Sequence, residues 1–410
     1  MRVEIINTGT ELLLGRVTNT HLGFLARSLF GLGLRVERQV TVPDGVAIAE
    51  AFEDAMGRGA DLILVTGGLG PTSDDITREA ASEAFGKKLI FHQEILDDIA
   101  AKFAARKFVM NDLQRAQAMV PEGGVVLRNN FGTAPGLVVF NDKHTAILLP
   151  GPPRELRPMW ETEALPWLRK NFASRLPPVH EVTLRTLGVG ETRVQILLEK
   201  DLLALGPVEI GYCARPGEVD LRLIAADADL LARAADHARS RLGDIVYAED
   251  GAEIEEVVVR LALAAGKTIA TAESCTAGLV AAKITNVPGS SGVFRYGWIT
   301  YANEAKTHEL GVPPALLEKF GAVSAEVAAA MAQGALRESG ADIAVSVTGI
   351  AGPGGGTEEK PVGLVWFGVA RKGGEVKTQQ ENLSQVRDTF REMAAQIALD
   401  LVRRALLEKA

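Results

Sequence analysis

The sequence predicts an α/β protein built from three domains. The chain has 410 residues, more than one hydrophobic core ordinarily serves. Near both ends, short apolar runs alternate with stretches of helical spacing, the pattern of a mostly parallel sheet with helices on both faces. Between them, residues 176–248 break the alternation and read as a small α+β module. The expected boundaries are 1–168, 176–248 and 253–410.

The composition, 47% hydrophobic and 23% charged, is that of a globular chain. Acidic residues (52) outnumber basic ones (44), for a formal charge of −8. With no basic tail, direct nucleic-acid binding is not expected. Cys213 and Cys275, the only cysteines, fall in different domains, which argues against a disulfide scaffold or a cysteine metal cage. The opening MRVEIINTGTELLLG lacks the long apolar segment of a signal peptide. No stretch has the length and apolarity of a spanning helix. A cytoplasmic location without a membrane partner is the simplest expectation.

The first domain opens on a strand, RVEIIN at 2–7. Residues 19–31 place Leu22, Leu25, Ala26 and Leu29 on one side of a helix. LRVERQV is a second strand, residues 46–56 a helix, and DLILVTGGLG at 61–70 a strand running into a glycine turn. In open α/β sheets, ligands gather beyond the carboxyl ends of strands, so TGGLGPTSDD is a candidate loop. Gly67 and Gly68 permit close backbone approach, and Thr72 or Ser73 is placed to cap the next helix. Asp74 and Asp75 suit either a divalent cation or the acidic first turn that a helix dipole favours. The loop is neither GxGxxG nor a Walker A, since no GK[ST] follows. NTGTELLLG at 7–15 brings Glu11 toward the same edge, as a metal donor or a helix-start charge. LLPGPPRE at 148–155 follows the strand TAILLP, and its prolines fix the approach to another helix.

Taken together, NTGTELLLG, TGGLGPTSDD, NNFGTAPG and LLPGPPRE resemble the molybdopterin-binding fold family and, more closely, the N-terminal domain of CinA proteins. The resemblance implies a MoaB/MogA-like three-layer fold. It also implies metal-dependent ADP-ribose pyrophosphatase activity, with ADP-ribose as substrate and a divalent metal as cofactor. Glu11, Asp74 and Asp75 are the matching candidate ligands. A degenerate fold used for dimerisation or pterin-like binding is the alternative.

RKNFASRLPPV at 169–179 reads as a linker, basic and closed by paired prolines. HEVTLRTLG is then a strand, 191–205 a helix, VEIGYCARP and EVDLRLIAA a hairpin, and 230–242 a helix. CinA proteins carry a small domain here that has been compared with KH modules. No GxxG loop with basic flanks is present, so RNA binding is not expected. Cys213 reads as a small core residue or buried thiol.

The C-terminal domain starts with a helix after residue 250 and the strand KTIATAE. SCTAGLVAAKIT has helical spacing, which puts Ser274 at a strand-to-helix junction with Ser274 or Thr276 as the cap. Helix-start amides there can hold a phosphate or an oxyanion. No GxSxG elbow surrounds Ser274 and no SxxK pair includes it. FRYGWITYANEAKTHELG at 294–311 gives a strand and a helix start carrying Tyr301, Lys306 and His308. Lys306 acts as a base only if burial or a nearby cation pulls its pKa well below the ordinary ~10.4. At 341–369, a strand leads through Thr348 and Gly349 into a glycine-rich turn whose amides can bind an anion. Residues 382–408 have the pattern of a long helix, with Arg387 near its start.

TAESCTAG, GWITYANEAK and SVTGIAGPGGGT, in that order, resemble the CinA C-terminal domain, also found alone as bacterial nicotinamide mononucleotide deamidase. The resemblance implies an α/β/α fold and hydrolysis of nicotinamide mononucleotide to nicotinic acid mononucleotide and ammonia, in pyridine nucleotide salvage and without a cofactor. Its nucleophile and base fall on Ser274 and Lys306, and its supporting groups on Tyr301 and Thr348. The amides near Cys275 and Thr276, together with Gly349 and Arg387, are expected on the substrate, Arg387 toward the phosphate. A homodimer is the implied assembly. Three alternatives stay open: Cys275 as nucleophile, a C-terminal domain that only regulates a diphosphatase, and a nucleotide-binding scaffold without catalysis.

Overall fold

In the computed structural model, which describes residues 1–383 and 386–408, the chain divides into two units, Met1–Val179 and His180–Ala410. The first begins with β1 (Val3–Thr8), a four-residue helix α1 (Thr10–Leu13), α2 (His21–Phe30), β2 (Val36–Val42), α3 (Ala47–Gly57) and β3 (Leu62–Thr66). Next come α4 (Thr77–Ala84), β4 (Leu89–Phe91), α5 (Gln93–Ala105), β5 (Met119–Pro121), β6 (Val125–Leu127), β7 (Gly136–Phe140) and β8 (Thr145–Leu149). α6 (Pro153–Met159) and α7 (Leu165–Phe172) complete the unit.

Its main sheet has the order β2-β1-β3-β8-β7-β6, parallel from β2 to β8 and antiparallel beyond. Strand alternation splits the apolar residues between two cores. Ile6, Ile63 and Val65 pack with Phe52 of α3 and Ala81 of α4. Ile5, Leu62 and Leu64 pack on the other face with Leu25 of α2 and Leu168 of α7. Helices therefore cover both faces, and each fully buried aliphatic side chain contributes roughly 1.5–3 kcal/mol.

α7 corrects the expected linker. It runs to Phe172 and a 3-10 turn continues over Ala173–Arg175, because Leu168 and Phe172, one helical turn apart, are both buried in the core.

The second unit holds two sheets. β9 (His180–Leu187), α8 (Glu191–Leu205), β10 (Glu209–Arg215), β11 (Glu218–Ala225), α9 (Ala228–Leu242) and β12 (Val246–Ala248) make an antiparallel sheet of order β10-β11-β9-β12, with both helices packed on its core. β10 is an edge strand, and Cys213 on it is exposed rather than in the core. The remainder comprises α10 (Ile254–Ala265), β13 (Ile269–Glu273), α11 (Leu279–Thr285), β14 (Phe294–Ile299), α12 (Asn303–Leu310), α13 (Pro314–Phe320) and α14 (Ala325–Ser339). β15 (Ile343–Gly349), β16 (Leu364–Arg371), β17 (Lys377–Asn382) and α15 (Arg387–Leu407) follow. The expected 382–408 helix starts later, since Asn382 ends β17; residues 384 and 385 of that range lie outside the described residues.

The second sheet has the order β14-β13-β15-β16-β17, with β13 parallel to both neighbours and β16 antiparallel on both sides. One face packs on α10, α11 and α15 through Ile269, Val345 and Phe367. The other packs on α12 and α14 through Ala270, Ala272 and Ala344. The antiparallel module and this α/β/α layer belong to one unit. Glu253, ahead of α10, joins them by binding Arg185 at 2.7 Å and Arg215 at 3.2 Å. No helix among the described residues is long and apolar enough to cross a membrane.

Candidate functional site

β13, β14 and β15 run parallel, so their carboxyl ends share one edge of the sheet. Three chain segments leave that edge together: Ser274–Gly278 after β13, Thr300–Ala302 after β14, and the loop after Gly349 that ends β15. Ser274 is fixed by its amide, which donates to Val347 O at 2.9 Å, while Thr300 N donates to Glu273 O at 2.9 Å. Two neighbouring strand ends are thus tied to the Ser274 turn.

Lys306, on the first turn of α12, points back under this edge and is fully buried. Its Nζ lies 3.2 Å from Ser274 Oγ, 2.8 Å from Thr300 O and 3.2 Å from Tyr301 O. Burial pulls its pKa below the ordinary lysine value, against smaller opposing effects from Cys275 and Glu304. In the charged form the amine donates to all three oxygens; in the neutral form the two carbonyls, which only accept, take its two N–H groups and the lone pair faces the Ser274 hydroxyl.

A pocket of about 210 Å³ opens over the pair. Ser274, Cys275, Tyr301, Lys306, Thr348, Gly349 and Arg387 all line it. Thr276 does not. It is buried, and its hydroxyl has no partner among the described residues. Thr348 donates to Ala322 O at 2.8 Å, fixing the wall formed by Ala322 and Val323. Arg387 donates to Gly352 O at 2.9 Å and reaches the Tyr301 hydroxyl at 3.4 Å. Tyr301 is 60% exposed, so this pair sits at the pocket mouth rather than beside the amine. His308 lies on the far side of α12, exposed and bonded to Glu309.

Cys275 borders this pocket but packs into the apolar core, and burial pushes its thiol up to about 12, with the charge of Glu273 adding to the effect.

Neither Ser274 nor Thr276 caps α11. The N-cap is Gly278, in the left-handed region with φ 90°, and the capping acceptor is Glu273. Its two carboxylate oxygens take the amides of Val280 at 3.1 Å and Ala281 at 2.9 Å. These helix-start amides are therefore not the oxyanion donors. The glycine-rich turn also uses amides internally: Ile350 N donates to Leu364 O, and Gly363 N to Ile350 O.

Sequence reasoning overlooked two residues here. Glu273 ends the strand KTIATAE, and the amides it accepts from, those of Val280 and Ala281, are too far along the chain for an N-cap pattern to report it. Lys360 sits in a polar loop; its Nζ donates to Phe320 O at 2.5 Å and Val323 O at 2.8 Å, clasping the loop to the pocket wall.

In the first unit, the TGGLG turn is packed against β1 and α4. Gly67 has φ 101° and a Cβ there would meet Thr8 Oγ1 at 2.5 Å; Gly68 has φ 67° and a Cβ would strike Thr77 Oγ1. Both hydroxyls are buried and without partners among the described residues, as is Arg78 Nε. Among the described residues, the Arg78 guanidinium, 2% exposed, donates to Leu69 O at 3.4 Å and Gly70 O at 3.5 Å.

The acidic residues nearby behave differently from expectation. Asp75 accepts from both the amide and the hydroxyl of Thr72, so Thr72 closes a turn. Neither Thr72 nor Ser73 caps α4, which has Ile76 at its N-cap. Glu11 is an exposed first-turn residue of α1. Among the described residues, no three His, Cys, Asp or Glu side chains come together to hold a metal ion. Glu11, Asp74 and Asp75 are therefore not gathered as a trio; a cation here would be held by one or two of these carboxylates together with the phosphates of a ligand.

The fold and the site define a multidomain α/β protein with a serine beside a buried lysine at the strand ends of its C-terminal layer. Residues 251–406 match the family described as "CinA C-terminal domain", residues 4–170 the "Probable molybdopterin binding domain", and residues 181–248 the "Damage-inducible protein CinA KH domain". The CinA-like protein of Akkermansia muciniphila is 47% identical over 403 residues, covering 97% of this chain and 96% of its own. That of Kosmotoga olearia is 44% identical, covering 99% of each. Among solved structures, the competence/damage inducible protein CihA from Agrobacterium tumefaciens is 41% identical, with a TM-score of 0.37, covering 38% of this chain and 98% of its own. The chain belongs to the CinA family.

Proposed function

We propose that the second unit hydrolyses the carboxamide of nicotinamide mononucleotide, giving nicotinic acid mononucleotide and ammonia. The observation that carries this reading is the buried Lys306 amine, with two carbonyls on its N–H groups and the Ser274 hydroxyl at 3.2 Å on its third side. The substrate comes from the resemblance of TAESCTAG, GWITYANEAK and SVTGIAGPGGGT to the deamidase family.

In the first step, Lys306 takes the Ser274 proton as Oγ attacks the carboxamide carbon. We assign the developing oxyanion to the amides of Cys275 and Thr276, the first being that of the residue after the nucleophile. As the C–N bond breaks, Lys306 returns the proton to the departing ammonia. Water then attacks the acyl-serine, Lys306 takes its proton and passes it to Ser274 as the C–O bond breaks, and the carboxylic acid leaves and gives its proton to solvent or to the ammonia. The base contributes about 10²–10⁴-fold. Arg387, at the mouth, meets the substrate phosphate, with Tyr301 beside it. Thr348 and Gly349 hold the opposite wall.

The test is ammonia release from nicotinamide mononucleotide by the full chain and by Ser274→Ala. Wild-type turnover with no release by the folded variant is expected. Retained turnover by Ser274→Ala overturns the nucleophile.

A second reading concerns the first unit. Buried, unpartnered Thr8, Thr77 and Arg78 groups around Gly67–Gly70 favour a phosphate-bearing ligand at that turn, and the resemblance implies ADP-ribose. A divalent cation would sit between the ligand's phosphates and one or two of Glu11, Asp74 and Asp75, neutralising the diphosphate. Calorimetric titration of ADP-ribose into wild type and Arg78→Met checks it, and equal affinities would sink it.

A further inference from the structure

We infer that Glu273 is the positioning residue that makes Ser274, and not the adjacent Cys275, the nucleophile. The inference rests on the proposed serine-hydrolase reading and adds a residue to it.

Glu273 is the last residue of β13 and is 1% exposed. Its side chain spans the nucleophile turn, from β13 to the amides of Val280 and Ala281 on α11. Its carbonyl accepts from Thr300 N, and the next amide, that of Ser274, donates to Val347 O. One residue therefore ties together β13, the end of β14 and the start of α11, while the neighbouring amide reaches β15.

The excursion from Ser274 to Gly278 is closed at both ends by these bonds. Closure explains a backbone feature that a free turn avoids: Ala277, a residue with a side chain, has φ 50°. A turn held this tightly fixes which side chain meets the amine. Ser274 Oγ lies 3.2 Å from Lys306 Nζ, while Cys275, although it also lines the pocket, is 5% exposed and belongs to the apolar core. Slackening the turn would let adjacent side chains exchange sides. The same carboxylate opposes a thiolate at Cys275, adding to the larger effect of burial. Glu273 thus acts twice: by geometry it aims the serine, and by charge it disfavours the competing sulfur.

Glu273→Gln removes the charge and one of two acceptors, since an amide NH₂ in its place would face an N–H donor. Glu273→Asp keeps both acceptors but is one methylene short. Two reagents read the outcome on the full chain. A fluorophosphonate forms an Oγ–P bond with an activated serine and releases fluoride, with no need for the natural substrate. Iodoacetamide reports an accessible Cys275 thiolate by mass shift.

With Glu273→Gln, fluorophosphonate labelling of Ser274 falls tenfold or more and alkylation of Cys275 rises tenfold or more. In the ammonia assay, kcat falls while KM stays within threefold. Glu273→Asp lies between wild type and Glu273→Gln in both labelling rates. Wild-type labelling by Glu273→Gln would overturn the inference. So would a loss that only tracks the folded fraction by circular dichroism with Cys275 still silent. If Glu273→Gln does not fold, Glu273→Asp decides alone: a threefold or larger change in both rates supports the inference, and wild-type rates overturn it. Wild type that labels at Ser274 yet releases no ammonia from nicotinamide mononucleotide refutes the substrate reading, and the labelling rates still judge Glu273.

Discussion

Lys306 Nζ stands 3.2 Å from Ser274 Oγ inside the protein, and its other two polar neighbours are backbone carbonyls. Burial of this lysine outweighs the smaller stabilisation that Glu304 and Cys275 give its charged form. It favours the neutral form, which is the form a proton acceptor needs. The same relationship sets a pH dependence for catalysis and for stability.

The catalytic prediction follows from the active state being deprotonated. kcat/KM for deamidation rises with pH through the depressed Lys306 pKa and levels off below the ordinary lysine value of 10.5. Lys306→Met abolishes that limb and lowers kcat by at least 10²-fold. A profile still climbing through the ordinary lysine range would show that the amine is not perturbed as a base must be.

The stability prediction has a definite sign. The folded pKa of Lys306 lies below the unfolded value, so between the two the unfolded chain binds more protons. The Lys306 contribution to stability therefore increases as pH rises from the folded pKa toward 10.5. At lower pH, where both states are charged, the folded state bears the full desolvation penalty. Urea unfolding across that window should show a steeper rise for wild type than for Lys306→Met. Parallel curves would place the penalty elsewhere.

The two cysteines give a third prediction. Cys213 is exposed on an edge strand, and Cys275 is buried with its thiol pushed up to about 12. At pH 8 the Cys275 thiolate fraction is about one in ten thousand. A chromogenic disulfide should titrate one thiol in the native protein and two in denaturant. Cys275→Ala should keep kcat within about threefold and destabilise by about 1–2 kcal/mol from the lost buried volume. Loss of turnover in a folded Cys275→Ala would restore the thiol as nucleophile.

The layers were legible in the sequence wherever one periodicity decided the element. DLILV and ADIAVSV are continuous apolar runs because both faces of their strands are covered. Glu191–Leu205 formed as its spacing required. The linker at 169–179 misled because Arg169, Lys170 and paired prolines dominate its composition, while burial of Leu168 and Phe172 decides its structure. Cys213 misled because residue type does not reveal an edge strand. Ser274 and Lys306 are 32 residues apart, and no local pattern reports that distance; only family resemblance joined them. Glu273 and Lys360 were hidden for a related reason. Each acts through backbone atoms of another segment, so neither leaves a side-chain motif.

Lys360 supplies the last prediction. Its amine holds Phe320 O and Val323 O, while Thr348 Oγ1 holds Ala322 O between them. Ala322 and Val323 form a pocket wall facing Ser274. Removing the amine leaves the Ser274–Lys306 pair untouched but releases the wall that orients the substrate. A hydrogen bond from a charged donor is worth roughly 1.5–3 kcal/mol when buried. These carbonyls lie near the surface and regain water, which reduces the net effect to about 1–2 kcal/mol. That corresponds to a rise in KM of about 5–30-fold for Lys360→Met, with kcat within about threefold. Thr348→Val loosens the same wall from the other side, so the double variant should lose less binding than the sum of the two single losses. Steady-state kinetics on the four proteins settle it: a fall in kcat that matches the loss in kcat/KM would move Lys360 from the wall to the chemistry, and strict additivity would show that the two side chains hold separate structures.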